Sequence, residues 1–139
     1  MSEPVILELT APPSANRWWR RAGNRMHLSH EAQEYKQSVA WKLRTMGIAN
    51  GAPVFPTERL SVVVVWRRDR KAGDLDKRLG VILDALQQTT IGGVHLPGLY
   101  ASDAQVEQIW ARRCDEHPEL APGTIRVEVC PIATEEPAP

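Results

Sequence analysis

No stretch of this chain approaches the ~18 consecutive apolar residues of a membrane-spanning helix, so no membrane partner is expected. The first residues, Met1-Ser2-Glu3-Pro4, lack the basic and apolar regions of a secretory leader, and the expected location is the cytoplasm. Cysteine is scarce: Cys114 and Cys130 show no metal-ligand spacing and read as two free thiols of a reducing compartment. Internal repeats are absent. Net charge is absent as well, with 17 Lys/Arg against 17 Asp/Glu. That argues against a protein that holds nucleic acid by bulk positive charge. The 139 residues suffice for one domain with a real core.

The zero balance conceals a gradient. Residues 1–113 hold sixteen Lys/Arg against eleven Asp/Glu, whereas residues 114–139 hold one against six. Arg17, Arg20, Arg21 and Arg25 form a run with no acid inside it, and Arg67, Arg68, Arg70 and Lys71 form a second. Basic groups gathered on one face can neutralise phosphates even in a neutral protein.

Hydrophobic periodicity predicts the order β-α-β-α-β-β, a single-domain mixed β-sheet packed with two main helices, of α/β or α+β class. A strand is expected over Val5 to Thr10, followed by an irregular segment over 11–28. Ser29 is a candidate N-cap for a helix ending near Met46, with Gly47 as its stop. Leu60 to Trp66, with four consecutive valines, reads as a central strand buried on both faces. A helix is expected over Asp74 to Gln88, then a mobile loop over Thr89 to Ala101. Strands over Val106 to Arg112 and Thr124 to Val129 are expected to pair as a hairpin through Pro122-Gly123. Residues 1–130 form the expected domain, and 131–139 a flexible acidic, Pro-rich tail.

The stretch Gly73-Asp74-Leu75-Asp76-Lys77-Arg78 carries the chemistry. Asp74 and Asp76 sit where a Val-rich strand gives way to an amphipathic helix, and Asp103 can return to them from a later loop. Carboxylates gathered inside a basic neighbourhood suggest a Mg²⁺ site for phosphodiester cleavage, with Mn²⁺ as a possible substitute. An isolated Asp-x-Asp is a weak signal, since such pairs are common in turns and helix caps. Asp84 lies eight residues after Asp76, about 12 Å along a helix, too far to share one metal easily, and reads as a supporting group.

Several ordered motifs resemble the RusA family of Holliday-junction resolvases. They are Pro12-Pro13-Ser14-Ala15-Asn16-Arg17-Trp18-Trp19-Arg20, then Gly23-Asn24-Arg25-Met26-His27-Leu28-Ser29, and Tyr35-Lys36. After these come Asp74-Leu75-Asp76, Asp84-Ala85-Leu86 and Asp103-Ala104-Gln105-Val106. The resemblance covers roughly residues 5–130. It implies a Mg²⁺-dependent endodeoxyribonuclease acting on four-way or branched DNA, with Asp74, Asp76 and Asp103 as catalytic metal-binding carboxylates. It also implies a homodimer, which suits two matched nicks across a two-fold junction. Asn16, Arg17, Arg20, Arg21, Arg25, Arg70, Lys71 and Arg78 are the expected DNA contacts, and Lys36 a further one.

The chain departs from the family at several places: Ser102 stands where the family usually has a further Asp before Asp103, the loop over Thr89 to Ala101 is longer than usual, and two positions after Asp76 differ. Lys77 stands where the family usually has Asn, and Gly80 where it usually has a catalytic Lys. Lys77, three residues earlier and on nearly the same helix face, is the candidate to supply that cation. A helix-interior Gly costs roughly 1 kcal/mol against Ala. Trp18 and Trp19 are read two ways, as stacking platforms for exposed bases or as packing groups. Trp66 and Trp110 are expected in the core. His27 and His30 are read as DNA contacts or caps rather than zinc ligands. Two other readings stay open: a broader branched or flap DNA nuclease, and a junction-binding protein that has lost cleavage.

Overall fold

Alternating Leu7 and Leu9 bury one side of a first strand, β1 (Val5–Thr10), as the sequence predicts. The computed structural model describes residues 3–69 and 73–133. Arg70, Lys71 and most of the expected tail lie outside those residues. The segment after β1 is ordered, contrary to expectation. It contains a one-turn helix, α1 (Ala15–Trp18), and a small hairpin of β2 (Trp19–Ala22) and β3 (Arg25–Leu28). Trp18 explains the order: its ring is fully buried and meets Tyr35 edge-on at 5.9 Å.

Ser29 caps the long helix α2 (His30–Thr45), its Oγ accepting from the Ala32 amide at 3.0 Å. The helix stops before Gly47, whose φ of 68° suits glycine. Strand β4 (Leu60–Arg67) is central, but the expected burial on both faces is corrected. Leu60, Val62, Val64 and Trp66 are buried, while Ser61, Val63, Val65 and Arg67 are half-buried. The reason is that α2 and the next helix, α3 (Asp76–Ala85), both pack against one face of the sheet. Val39, Leu43, Ile82 and Leu86 join Leu7, Leu9, Val62 and Val127 in one core there.

The chain then forms a second small hairpin, β5 (Thr89–Ile91) and β6 (Val94–Leu96). The mobile loop expected over Thr89 to Ala101 is therefore corrected. Leu99 and Tyr100 are fully buried; the Leu99 amide donates to the Leu86 carbonyl at the end of α3, and the Tyr100 carbonyl accepts from the Gln88 amide. Gly98 permits this approach, because a Cβ there would lie 2.3 Å from the Gln88 nitrogen.

Strands β7 (Val106–Arg113) and β8 (Thr124–Pro131) complete a mixed sheet of order β1-β8-β4-β7. They do not pair with each other, which corrects the expected hairpin. β7 lies parallel to β4, and β8 is antiparallel to both β4 and β1. Pro122-Gly123 ends a crossover over the end of β4 rather than a tight turn. The Cys114 amide donates to the Trp66 carbonyl, and the Gly123 amide to the Arg67 carbonyl. Arg67 Nη1 straps that crossover through the His117 and Leu120 carbonyls, each at 2.8 Å. Trp66 is in the core as expected, but Trp110 is 75% exposed. It sits on the edge strand opposite Val63, on the face turned away from the helices. The α+β class and the mixed sheet with two main helices stand. Among the described residues no helix is long and apolar enough to cross a membrane.

Candidate functional site

Two arginines surround Gly73, the residue that precedes Asp74. Gly73 has a φ of 105°. A Cβ there would meet Arg78 Nη1 at 2.9 Å and the Trp66 ring at 3.0 Å, so both conformation and space require glycine. Arg78 is half-buried, its guanidinium 4.8 Å from the centroid of the Trp66 ring. This expected DNA contact is thus packed under the turn that leads to Asp74. Arg68 Nη1 donates to the Gly73 carbonyl at 3.4 Å, while Nε and Nη2 grip the Asp115 carboxylate at 3.0 and 2.6 Å.

Those hydrogen bonds from Arg68 hold the Asp115 carboxyl at about 2, below its ordinary 3.8. The folded value is the depressed one. The stabilisation is therefore complete above the ordinary value and lost as pH falls through about 2. Wild type is expected to melt above Asp115→Asn at about pH 5, the gap closing in stronger acid. Identical melting temperatures at pH 5 would show that the pair contributes nothing.

Helix α3 starts at Asp76, shorter at both ends than expected. Asp74 precedes it and makes no cap; its Oδ2 stands 3.6 Å from Lys77 Nζ, with both side chains largely in solvent. Asp76, Lys77, Gly80, Val81 and Asp84 of α3 line a cavity of about 250 Å³, together with Ala15, Trp18, Trp19 and Asp103. The fold therefore brings Asp76, Asp103 and Lys77 to one place, with Asp74 at its edge. A larger depression of about 620 Å³ on the outer side of α2 is lined by Gln37, Ser38, Trp41, Lys42, Thr45 and Met46. It holds no carboxylate and lacks the chemistry of the smaller cavity.

Asp103 is positioned by amides the sequence did not single out. It opens a 3-10 turn, η1 (Asp103–Gln105), and its amide donates to Gln87 Oε1 at 2.7 Å. Gln105 Oε1 accepts from the Ala101 and Ser102 amides, and its Nε2 donates to the Phe55 and Glu58 carbonyls. All four hydrogen-bonding positions of that amide are occupied. Ser102 Oγ accepts from the Ala104 amide and completes a capping box. The capping-box spacing from Ser102 to Gln105 was the available signal.

Asp84, read from the sequence as a supporting group, bonds to residues of α1 and α2. Trp18 Nε1 donates to Oδ2 at 2.8 Å; Lys36 Nζ lies 3.3 Å from Oδ1 and donates to the Asp84 carbonyl at 3.1 Å. Lys36 is 3% exposed, which removes it from the DNA contacts and makes it an internal counter-charge. The network ties α1, α2 and α3 together beneath the cavity.

The basic run folds into α1 and the first hairpin, where Asn16, Arg17, Arg20, Arg21 and Arg25 are all exposed. Register divides it: Arg20 pairs with His27, Arg21 with Met26, and Ala22 with Arg25. Alternation puts Arg20 and Arg25 on one face and Arg21 with Trp19 on the other. Arg17 donates to Glu31 at 2.7 Å. His30 meets Glu34 at 2.8 Å, and His27 stays exposed on β3.

The donor chemistry of the cavity suits a small hard cation that keeps most of its waters. Among the described residues, however, no group of three or more His, Cys, Asp or Glu stands close enough together to hold a metal ion. Asp76 and Asp103 line the cavity as two carboxylate donors, and Asp74 is not among its lining residues.

Two comparisons bear on this arrangement. Residues 9–129 match the family model described as Endodeoxyribonuclease RusA. The chain is also 33% identical over 79 residues to the crossover junction endodeoxyribonuclease rusA of Enterobacteria phage HK97. That match covers 56% of this chain and 62% of the phage protein, so more than a third of that relative is left unmatched.

Proposed function

Because the chain belongs to the RusA family of endodeoxyribonucleases, we propose that it is a Mg²⁺-dependent nuclease that resolves four-way DNA junctions by paired nicks. The observation that carries this reading is one cavity lined by Asp76, Asp103 and Lys77 and entered beside an exposed basic hairpin. Asp76 and Asp103, joined by Asp74, are the residues to hold the cation. Bound there, Mg²⁺ supplies positive charge to the scissile phosphate and a water of lowered pKa. Lys77 donates to a phosphate oxygen as negative charge develops on it. Gln87 and Gln105 keep Asp103 from drifting, and Arg68 with Arg78 hold the turn before Asp74. The enzyme works as a cytoplasmic homodimer, since two strands of matching polarity are cut across a two-fold junction.

A synthetic four-way junction, incubated with and without Mg²⁺, tests the proposal. Paired nicks that require the metal are expected, with intact duplex left uncut. Equal cutting of flapped DNA would replace this reading by a broader branched-DNA nuclease. A second reading, binding without cleavage, draws support from Gly80, where no side chain supplies a cation, and from the lack, among the described residues, of three carboxylates close enough together to hold a metal ion. Tight junction binding without nicks in Mg²⁺ or Mn²⁺ would establish it.

The hairpin arginines give an independent expectation. Replacing Arg20 and Arg21 together by Ala should weaken junction binding and flatten its salt dependence by up to about two phosphate contacts. The two arginines face opposite ways, so the single replacements should differ. An unchanged slope of log affinity against log salt would return both to solvent.

A further inference from the structure

Gly80 poses a problem that the fold does not solve. It lies inside α3, where glycine costs roughly 1 kcal/mol against alanine. No steric demand explains it: a Cβ at that position meets nothing within 4 Å, and its φ lies outside the positive range that favours glycine. The missing side chain instead enlarges the cavity between α3 and the Trp18-Trp19 corner. Trp19 is 42% exposed at that cavity, while Trp18 is fully buried and fixed by its bond to Asp84.

The lining selects the occupant. Asp76, Asp84 and Asp103 oppose a phosphate lacking a metal of its own, and among the described residues Lys77 is the single cationic side chain of the lining. A neutral planar group meets no such penalty and finds a half-exposed indole, Ala15 and Val81 on the apolar side. We propose that the cavity takes one unstacked nucleobase beside the scissile phosphate, with Trp19 as its stacking surface and Gly80 as the notch that admits it. Asp84 gives the site its preference. Its oxygens bond to Trp18 and Lys36, and each carboxylate oxygen retains a second lone pair. They therefore accept from the exocyclic amino group of cytosine, adenine or guanine, which thymine lacks.

This inference rests on the junction-nuclease reading, and the experiment separates the two. The full-length protein is titrated into four-way junctions without divalent cation, so that nothing is cut. 2-Aminopurine replaces one nucleotide at a time around the crossover. One position is expected to change its fluorescence on binding, and thymine at that position should weaken binding. Gly80→Leu fills the notch with a better helix former, and Trp19→Ala removes the stacking surface. Each should abolish the fluorescence change, erase the discrimination against thymine and lower affinity about tenfold, the size of one lost base stack. If both variants keep the wild-type fluorescence profile and base preference, the cavity holds no base and the inference falls while the nuclease reading stands. If wild type binds no branched DNA, the nuclease reading falls and takes the inference with it.

Discussion

Asparagine in place of Asp76 is expected to leave a protein that binds four-way junctions and does not cut them. Asp76 opens α3 and lines the same cavity as Asp103. Under the proposed function it holds the cation whose charge contributes several kcal/mol to the transition state. Losing that contribution should lower the single-turnover rate by more than about 10³-fold. Binding should hold or tighten, because the change removes a negative charge beside the DNA backbone. Asparagine keeps the size and most of the hydrogen-bonding shape, and the residue is exposed, so the fold should be undisturbed. Cleavage by Asp76→Asn at the wild-type rate would remove this residue from the site.

Alanine in place of Lys77 is the second large effect. Lys77 Nζ lies 3.6 Å from Asp74, with side chains 49% and 65% exposed. An ion pair so exposed is worth only ~0–1 kcal/mol, too little to keep Lys77 from a phosphate that enters the cavity. Under the proposed function its charge would favour the transition state over the ground state, because negative charge grows on the phosphate during reaction. Lys77→Ala should cut the single-turnover rate by about 10²-fold and change junction affinity little. A lower affinity with an unchanged rate would make Lys77 an ordinary phosphate contact. An unchanged rate and affinity would pass the role to another cation, with Arg17 and Arg20, which flank the Trp18-Trp19 corner in sequence, as exposed candidates.

Local pattern was enough for much of the molecule. Ser29, Gly47 and the apolar spacing between them defined α2, and alternation in Val5–Thr10 defined β1 to the residue. The motifs around Asp74, Asp76 and Asp103 were legible as well, because short-range chemistry at a strand-helix junction and a capped turn is written in adjacent residues. Three features were decided by partners distant in the chain. β8 inserts between β1 and β4 after a crossover that Arg67 straps, a contact no turn propensity reports. Trp110 reads as core by composition and is exposed because β7 is an edge strand. Lys36 reads as a phosphate contact and is buried because Asp84 arrives from α3, 48 residues later, to meet it. The sequence by itself thus marked which groups are candidates to carry chemistry. The tertiary structure decided which of them share a cavity, since burial and counter-charge come from residues that only packing makes neighbours.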